Sequence, residues 1–377
     1  MTPRGDRMKA AVYHGSHDVR IEDVPVPEPG PGEVLLRVLR TGMCGTDATE
    51  WSAGPRTFPV DRRHPVTGHI GPMIPGHEFV GEVVEAAPGG GRFGVGDRVA
   101  SGAGVSCGEC DRCREGRTNL CRRYYTLGLN IAGGMAEYVA VPETSLVPLP
   151  GGLSLDSAGL AQPLAVGLHA ARRSGARSGD RVVLVGAGAI GSFTQVGLGY
   201  LADVDLTVID FPGTRLDRAA RLGATRTLAA GPDNAEALAA TLGPQTVDVV
   251  IEASGAPGQL DNAISLVRNG GTILQVGLPA RQQEVDVHSL VMREITVATT
   301  LAHVCGQDLA PALEILATTR LADELLDSVR PLDDLGDQLE RLSTGRLDGK
   351  VLFDPSLPPT APDPTTDTHL AAERPSR

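Results

Sequence analysis

The chain has 377 residues, 41% of them hydrophobic, with a formal net charge of −12 and six cysteines. Its length suits two domains of ~100 to 200 residues each. The lack of any apolar run of about 18 residues excludes a membrane-spanning helix, and the acidic balance excludes the basic surface that nucleic-acid binding needs. The first fifteen residues carry no apolar leader core, so the expectation is a soluble, cytoplasmic protein whose thiols stay reduced.

From residue 8 to about 162 the sequence is rich in Val, Gly and Pro, with short alternating runs at 33–39 and 79–84. These predict short strands joined by tight turns. Within this stretch Cys44 stands in the run from Thr41 to Asp47, and Gly76, His77 and Glu78 follow. A lone cysteine is ordinarily a small buried hydrophobe. Cys44, His77 and Glu78 together are different, because a thiolate, an imidazole and a carboxylate are three zinc-compatible donors that leave one position open, as catalytic zinc requires.

Further on, Cys107, Cys110, Cys113 and Cys121 form the pattern C-x2-C-x2-C-x7-C. Four thiolates at this spacing can reach one tetrahedral zinc, and such a closed site is structural: it would staple the loop 102–122, which has little core of its own. An iron–sulfur cluster or free thiols are the alternatives that spacing leaves.

From about 163 to 304 apolar runs at 181–185, 206–209, 247–251, 271–276 and 295–298 alternate with helical segments, which predicts a parallel sheet wrapped by helices. Gly186, Gly188 and Gly191 follow the first run and open a helix through Ala189 and Ile190. In that context the glycines form a dinucleotide fingerprint, with the pyrophosphate at the helix N-terminus. Asp210 ends the next strand, where a carboxylate accepts from the adenosine ribose and repels a 2′-phosphate, so NAD is expected over NADP; Arg215 nearby could in principle tolerate a phosphate. Ser254, Val276 and Gly277 follow later strands at the carboxyl edge, where such sheets bind ligands. The stretches 309–317 and 332–342 read as helices and 350–353 as a last strand that could rejoin the first domain. A Pro- and Thr-rich tail over 355–377 is expected to be flexible.

Cys44 to Asp47, Gly76 to Glu78, Val95 to Val99, the four-cysteine loop, Gly133 to Tyr138 and Gly186 to Gly191 together resemble the zinc-dependent medium-chain alcohol dehydrogenases, over residues 8 to about 354. The sequence is most similar to the branch holding sorbitol, 2,3-butanediol, threonine and archaeal glucose dehydrogenases; His64 to His69 particularly resembles the butanediol enzymes. The resemblance implies an α/β fold: a GroES-like, mostly-β catalytic domain (1–162 and 305–354) and a Rossmann doubly wound parallel-sheet cofactor domain (163–304).

The resemblance also implies two zincs per chain. Cys44 and His77 would ligate the catalytic one, with Glu78 as a close or switching ligand. Asp47 would orient His77, and Thr46 would bond the substrate hydroxyl and take its proton while hydride passes to NAD. Gln162 stands where the ethanol-oxidising branch carries Cys and the polyol branch usually Glu, though glucose dehydrogenases also carry Gln there; an amide suits bonding to water or substrate rather than ligation. Thr49 replaces a relay histidine, so the proton would leave by another path, through water or Glu50. Segment 50–73 would line the substrate pocket, and Leu301 and His303 would approach the nicotinamide, an ordinary surface or core histidine being the equal alternative for His303. The expected partners are a secondary alcohol or polyol and its ketone, with further copies of the chain in a homodimer or homotetramer. A 3-hydroxy amino acid dehydrogenase and a non-catalytic NAD-binding zinc protein are the other readings. Cys305 belongs to neither metal group.

Overall fold

The computed structural model describes residues 5–231 and 233–360. Two sheets dominate. In the first, seven strands centre on Glu33–Gly42, whose alternation turns Val34, Leu36 and Val38 into a core with Phe79, Val83, Val99 and Val141. This strand is long enough to hold two neighbours on one edge. Tyr138–Pro142 pairs along its first half, and Lys350–Phe353 pairs antiparallel at its far end, with Leu352 opposite Gly42. On the other edge lies Glu78–Glu85, with Glu78 opposite Gly42. The register therefore brings the starts of two strands, 272 residues apart in the chain, to the end of a third.

The second sheet has six parallel strands. In space they run Arg226–Ala229, Asp205–Asp210, Arg181–Val185, Val249–Glu252, Thr272–Gln275, Thr296–Thr299. The order reverses direction between Arg181–Val185 and Val249–Glu252, which opens a ligand crevice at their carboxyl ends. Both faces are covered, as parallel sheets require. Val182 and Leu184 pack with Ala170 and Leu198 on one face, and Val183 and Val185 with Ile264 and Leu266 on the other. This is the α/β, doubly wound arrangement expected.

Helices Ala161–Ser174 and Cys305–Thr318 join the domains, packing Leu164, Leu168, Leu309 and Leu313 into one core with Val80 and Ala100 of the first sheet. Of the tail expected over 355–377, residues from 361 lie outside those described. The described part is tied down: Leu357 O accepts from Lys9 Nζ at 3.4 Å, and Thr360 Oγ1 donates to Asp334 at 2.9 Å. Among the described residues, no helix is long and apolar enough to cross a membrane.

Candidate active site

Cys44 caps helix Gly45–Ala53 from an extended backbone, and its N–H donates to Asp47 Oδ2 at 2.8 Å. That bond fixes the turn and turns Asp47 inward, where it is almost wholly buried. Its other oxygen, Oδ1, lies 3.9 Å from His77 Nδ1. His77 and Glu78 enter at the start of their strand, and ligand atoms of Cys44, His77 and Glu78 all lie within 4.8 Å of one another. His77 Nδ1 and Asp47 Oδ1 are buried without hydrogen-bond partners. Orphaned polar atoms of this kind carry a desolvation cost unless something else satisfies them.

The electrostatics point the same way. Burial works to hold the His77 imidazole neutral, but the Asp47 carboxylate and the Cys44 sulfur override it and raise its pKa to about 9. Burial raises the Asp47 carboxyl, against the pull of His77. Three acidic groups therefore converge on one buried imidazole, and a bound divalent cation would supply positive charge that the imidazole otherwise takes up as a proton. The donor set suits zinc.

Sequence reading gave no role to Lys350. Its ammonium is buried, lies 2.5 Å from Glu78 Oε2 and donates to Met43 O at 2.6 Å. Burial works to strip its proton, yet Glu78 and Cys44 hold it charged and its pKa raised. The available signal was compositional: Lys350 is one of only two lysines in the chain. Gln162 is buried in the first turn of its helix, whose neighbouring Ala161 and Leu164 share a core with Val80, two residues beyond Glu78. Thr46 is half-buried in the first turn of its own helix. Thr49 is exposed and its hydroxyl donates to Gly45 O at 2.9 Å. The Glu50 carboxylate accepts from Arg56 N at 2.9 Å and Thr57 N at 2.5 Å, closing the turn after the helix.

The sulfurs of Cys107, Cys110, Cys113 and Cys121 form a second group, with separations of 3.5, 3.9 and 4.0 Å for three pairs. A tetrahedron with metal–sulfur bonds of about 2.3 Å puts its sulfurs roughly 3.8 Å apart. Backbone N–H groups of Cys107 and Arg123 also donate to Cys121 Sγ, at 3.2 and 3.3 Å. Those of Arg122 and Cys113 pull the Cys110 thiol down to about 6. Burial and the neighbouring cysteines push the Cys113 thiol up to about 11, so the group pairs a thiol poised to ionise with one whose proton a metal would have to displace.

In the cofactor domain the glycine loop has the shape the fingerprint implies. Gly186 has φ +99, and a Cβ there would come within 2.8 Å of Ser254 N; one on Gly191 would stand 1.9 Å from Gly186 O. Around Gly188, which caps helix Ala189–Leu201, nothing lies within 4 Å of the Cβ position, so this stretch of backbone is open to a ligand. Asp210 ends its strand beside the loop, accepting from Ala187 N and Phe211 N at 2.6 Å each. A cavity of about 310 Å³ runs from Asp210 past Phe211, Pro212, Gly213 and Thr214 to Arg215. The backbone N–H groups of Val276 and Gly277 both donate to Glu252 O at 2.8 Å. Leu278, next in the chain and missed by sequence reading, leaves a large apolar side chain 92% exposed at this edge.

Ser254, Arg215 and His303 are each engaged within the protein. The N–H and Oγ of Ser254 both donate to Glu252. Arg215 is not free for a phosphate, since Nε donates to Asp348 Oδ1 at 2.8 Å. His303 is buried with Nε2 3.0 Å from Gly102 O at the base of the cysteine loop, which makes it a core histidine, one of its two expected roles. Leu301 is exposed, and its carbonyl accepts from Asn119 Nδ2 at 2.8 Å.

A cysteine–histidine–carboxylate cluster in one domain with a dinucleotide cradle in the other is the architecture of a metal-dependent dehydrogenase. Comparison with known proteins agrees. Residues 30–151 match the alcohol dehydrogenase GroES-like domain and 189–318 the zinc-binding dehydrogenase family. The chain is 34% identical to (R,R)-butanediol dehydrogenase of Bacillus subtilis (strain 168), over 87% of its own length and 94% of the relative's. It is 33% identical to sorbitol dehydrogenase of the same strain (73% and 76%), and 31% identical to L-threonine 3-dehydrogenase of Rhizobium etli (strain CIAT 652) (89% and 94%). The crystal structure of 2R,3R-butanediol dehydrogenase from Bacillus subtilis superposes with a TM-score of 0.85 at 32% identity, covering 93% of this chain and all of that one. The chain belongs to the zinc-binding medium-chain alcohol dehydrogenases, in their polyol and diol branch.

Proposed function

We propose that this enzyme interconverts a secondary alcohol or polyol and its ketone with NAD, the favoured substrates being vicinal diols, sugar alcohols, cyclitols and aminocyclitols. The observation that carries the reading is the convergence of half-buried Cys44 with buried His77 and Glu78 in one cluster. Cys44 and His77 hold the catalytic zinc with Glu78 beside it, and the four cysteines from Cys107 hold a structural one. When bound, zinc acidifies an alcohol oxygen and the nicotinamide accepts hydride.

The chain's own groups do the rest. Asp47 orients His77 and favours its role as a ligand. Thr46 takes the hydroxyl proton. Gln162 bonds water or substrate without adding charge, and Lys350 offsets the charge of Glu78, which moderates its pull toward a cation. Gly186 to Gly191 seat the pyrophosphate, Asp210 receives the ribose, and Leu278 with Val276 and Gly277 shields the nicotinamide from water. The catalytic unit comprises 1–162 with 305–354, and the cofactor unit 163–304.

A 3-hydroxy amino acid is the second reading. A cavity of about 410 Å³ in the segment expected to line the pocket is bordered by Thr57, Pro59, Arg62, Arg63, His64 and Pro65, and its arginines suit a carboxylate. Following NADH absorbance across diols, sugar alcohols, cyclitols and 3-hydroxy amino acids separates the two: turnover confined to the amino acids would displace the polyol reading.

We further place a second copy of the chain against the edge strand Thr296–Thr299, which pairs on one side only. Helix Val287–Met292 just before it has no buried residue, and Val291 and Met292 are 72% and 70% exposed. An unpaired edge beside exposed apolar side chains is a template for association.

A further inference from the structure

Asp348 lies in the catalytic unit, two residues before Lys350, yet its side chain is held by the cofactor domain. Thr214 Oγ1 donates to Asp348 Oδ2, Arg215 Nε donates to Oδ1 at 2.8 Å, and Arg218 donates to the backbone carbonyl at 2.6 Å and lies 3.5 Å from Oδ1. Arg218 also donates to Ala187 O of the glycine loop at 3.1 Å. A hydroxyl and two guanidinium groups at the start of helix Thr214–Arg221 make an anion cradle. Thr214 and Arg215 also line the cavity that begins at Asp210. That is where the adenosine ribose of a dinucleotide would lie, and where a 2′-phosphate would look for a cation.

We infer that Asp348 is a specificity-determining residue: its carboxylate fills the cradle a 2′-phosphate would need, so the enzyme rejects NADP by an internal anion as well as by Asp210. A phosphate arriving here meets two carboxylates and finds Arg215 already paired. Excluding a competitor by placing like charge in its path is an established route to selectivity. Because the carboxylate comes from the other domain, selectivity depends on the domains being docked. The inference rests on the NAD reading above.

Direct binding of NADH and NADPH, measured by calorimetry without substrate, tests it. The wild type checks the underlying reading: it should bind NADH at least tenfold more tightly than NADPH, and equal affinities would overturn both the reading and the inference. Asp348→Asn keeps the shape and removes the charge. It should tighten NADPH binding at least fivefold while changing NADH binding less than twofold; Asp348→Ser, measured alongside, should do the same. The gain must vanish in the double variant Asp348→Asn with Arg215→Met, because the freed guanidinium is what the phosphate would take. An unchanged NADPH affinity in both single variants, equal weakening of both nucleotides, or a gain that survives loss of Arg215 would each overturn the inference.

Discussion

Lys350 Nζ lies 2.5 Å from Glu78 Oε2, so strand Lys350–Phe353 delivers a buried cation to the carboxylate of the candidate metal cluster. Removing one partner of a buried ion pair leaves an uncompensated charge, which costs about 3 to 5 kcal/mol. Lys350→Met should therefore destabilise the metal-free protein by about that much. The zinc-loaded protein should lose less, because the metal can take over the task of neutralising Glu78. Thermal melts with and without a chelator check this, and equal losses in the two states would contradict it.

The four-cysteine loop has its own prediction. Its residues contribute few side chains to either core, so metal binding is folding energy for this segment. Cys113→Ser should lose one zinc equivalent and expose 102–122 to limited proteolysis while NADH still binds. If cleavage there is no faster than in the wild type, the cysteines are not a metal staple.

His303 makes acid stability testable. Burial lowers its pKa to about 4, against the pull of Asp308 and the Gly102 carbonyl. The folded protein thus keeps the imidazole neutral where the unfolded chain, at its ordinary ~6.5, takes up a proton. The stability from neutral His303 is complete above ~6.5 and is lost as the pH falls toward 4, because the unfolded state binds more protons there. His303→Gln should flatten that part of the stability profile, read from urea midpoints between pH 7 and pH 4. A profile as steep as the wild type's would count against it.

Association through the edge strand predicts that the wild type sediments at about twice or four times its 39.2 kDa chain mass. The paired substitution Val291→Asp with Met292→Asp should return it to the mass of one chain with its melting temperature little changed. A wild type that sediments as a single chain would refute the placement.

What could be read from the sequence was local. The C-x2-C-x2-C-x7-C pattern and the glycine loop with Asp210 are set by short spacings, and the structure gathers the four sulfurs and opens the backbone at Gly188. The parallel sheet was legible wherever strands are continuous apolar runs. Strand Arg226–Ala229 was not, because it lies at an edge with half-exposed residues and carries no such run. Lys350 and Asp348 were invisible for a different reason: their partners Glu78 and Arg215 are 272 and 133 residues away, and only the sheet register and domain docking bring them together.

The central claim is that Cys44 and His77 hold a catalytic zinc distinct from the one at Cys107, Cys110, Cys113 and Cys121. Elemental analysis of purified wild type and Cys44→Ser, paired with NAD reduction on a vicinal diol panel, tests it most directly. Two zincs per chain are expected in the wild type, and one in a folded variant whose activity falls by at least a thousandfold. A variant that keeps both zincs, or that reduces NAD at the wild-type rate, would contradict it.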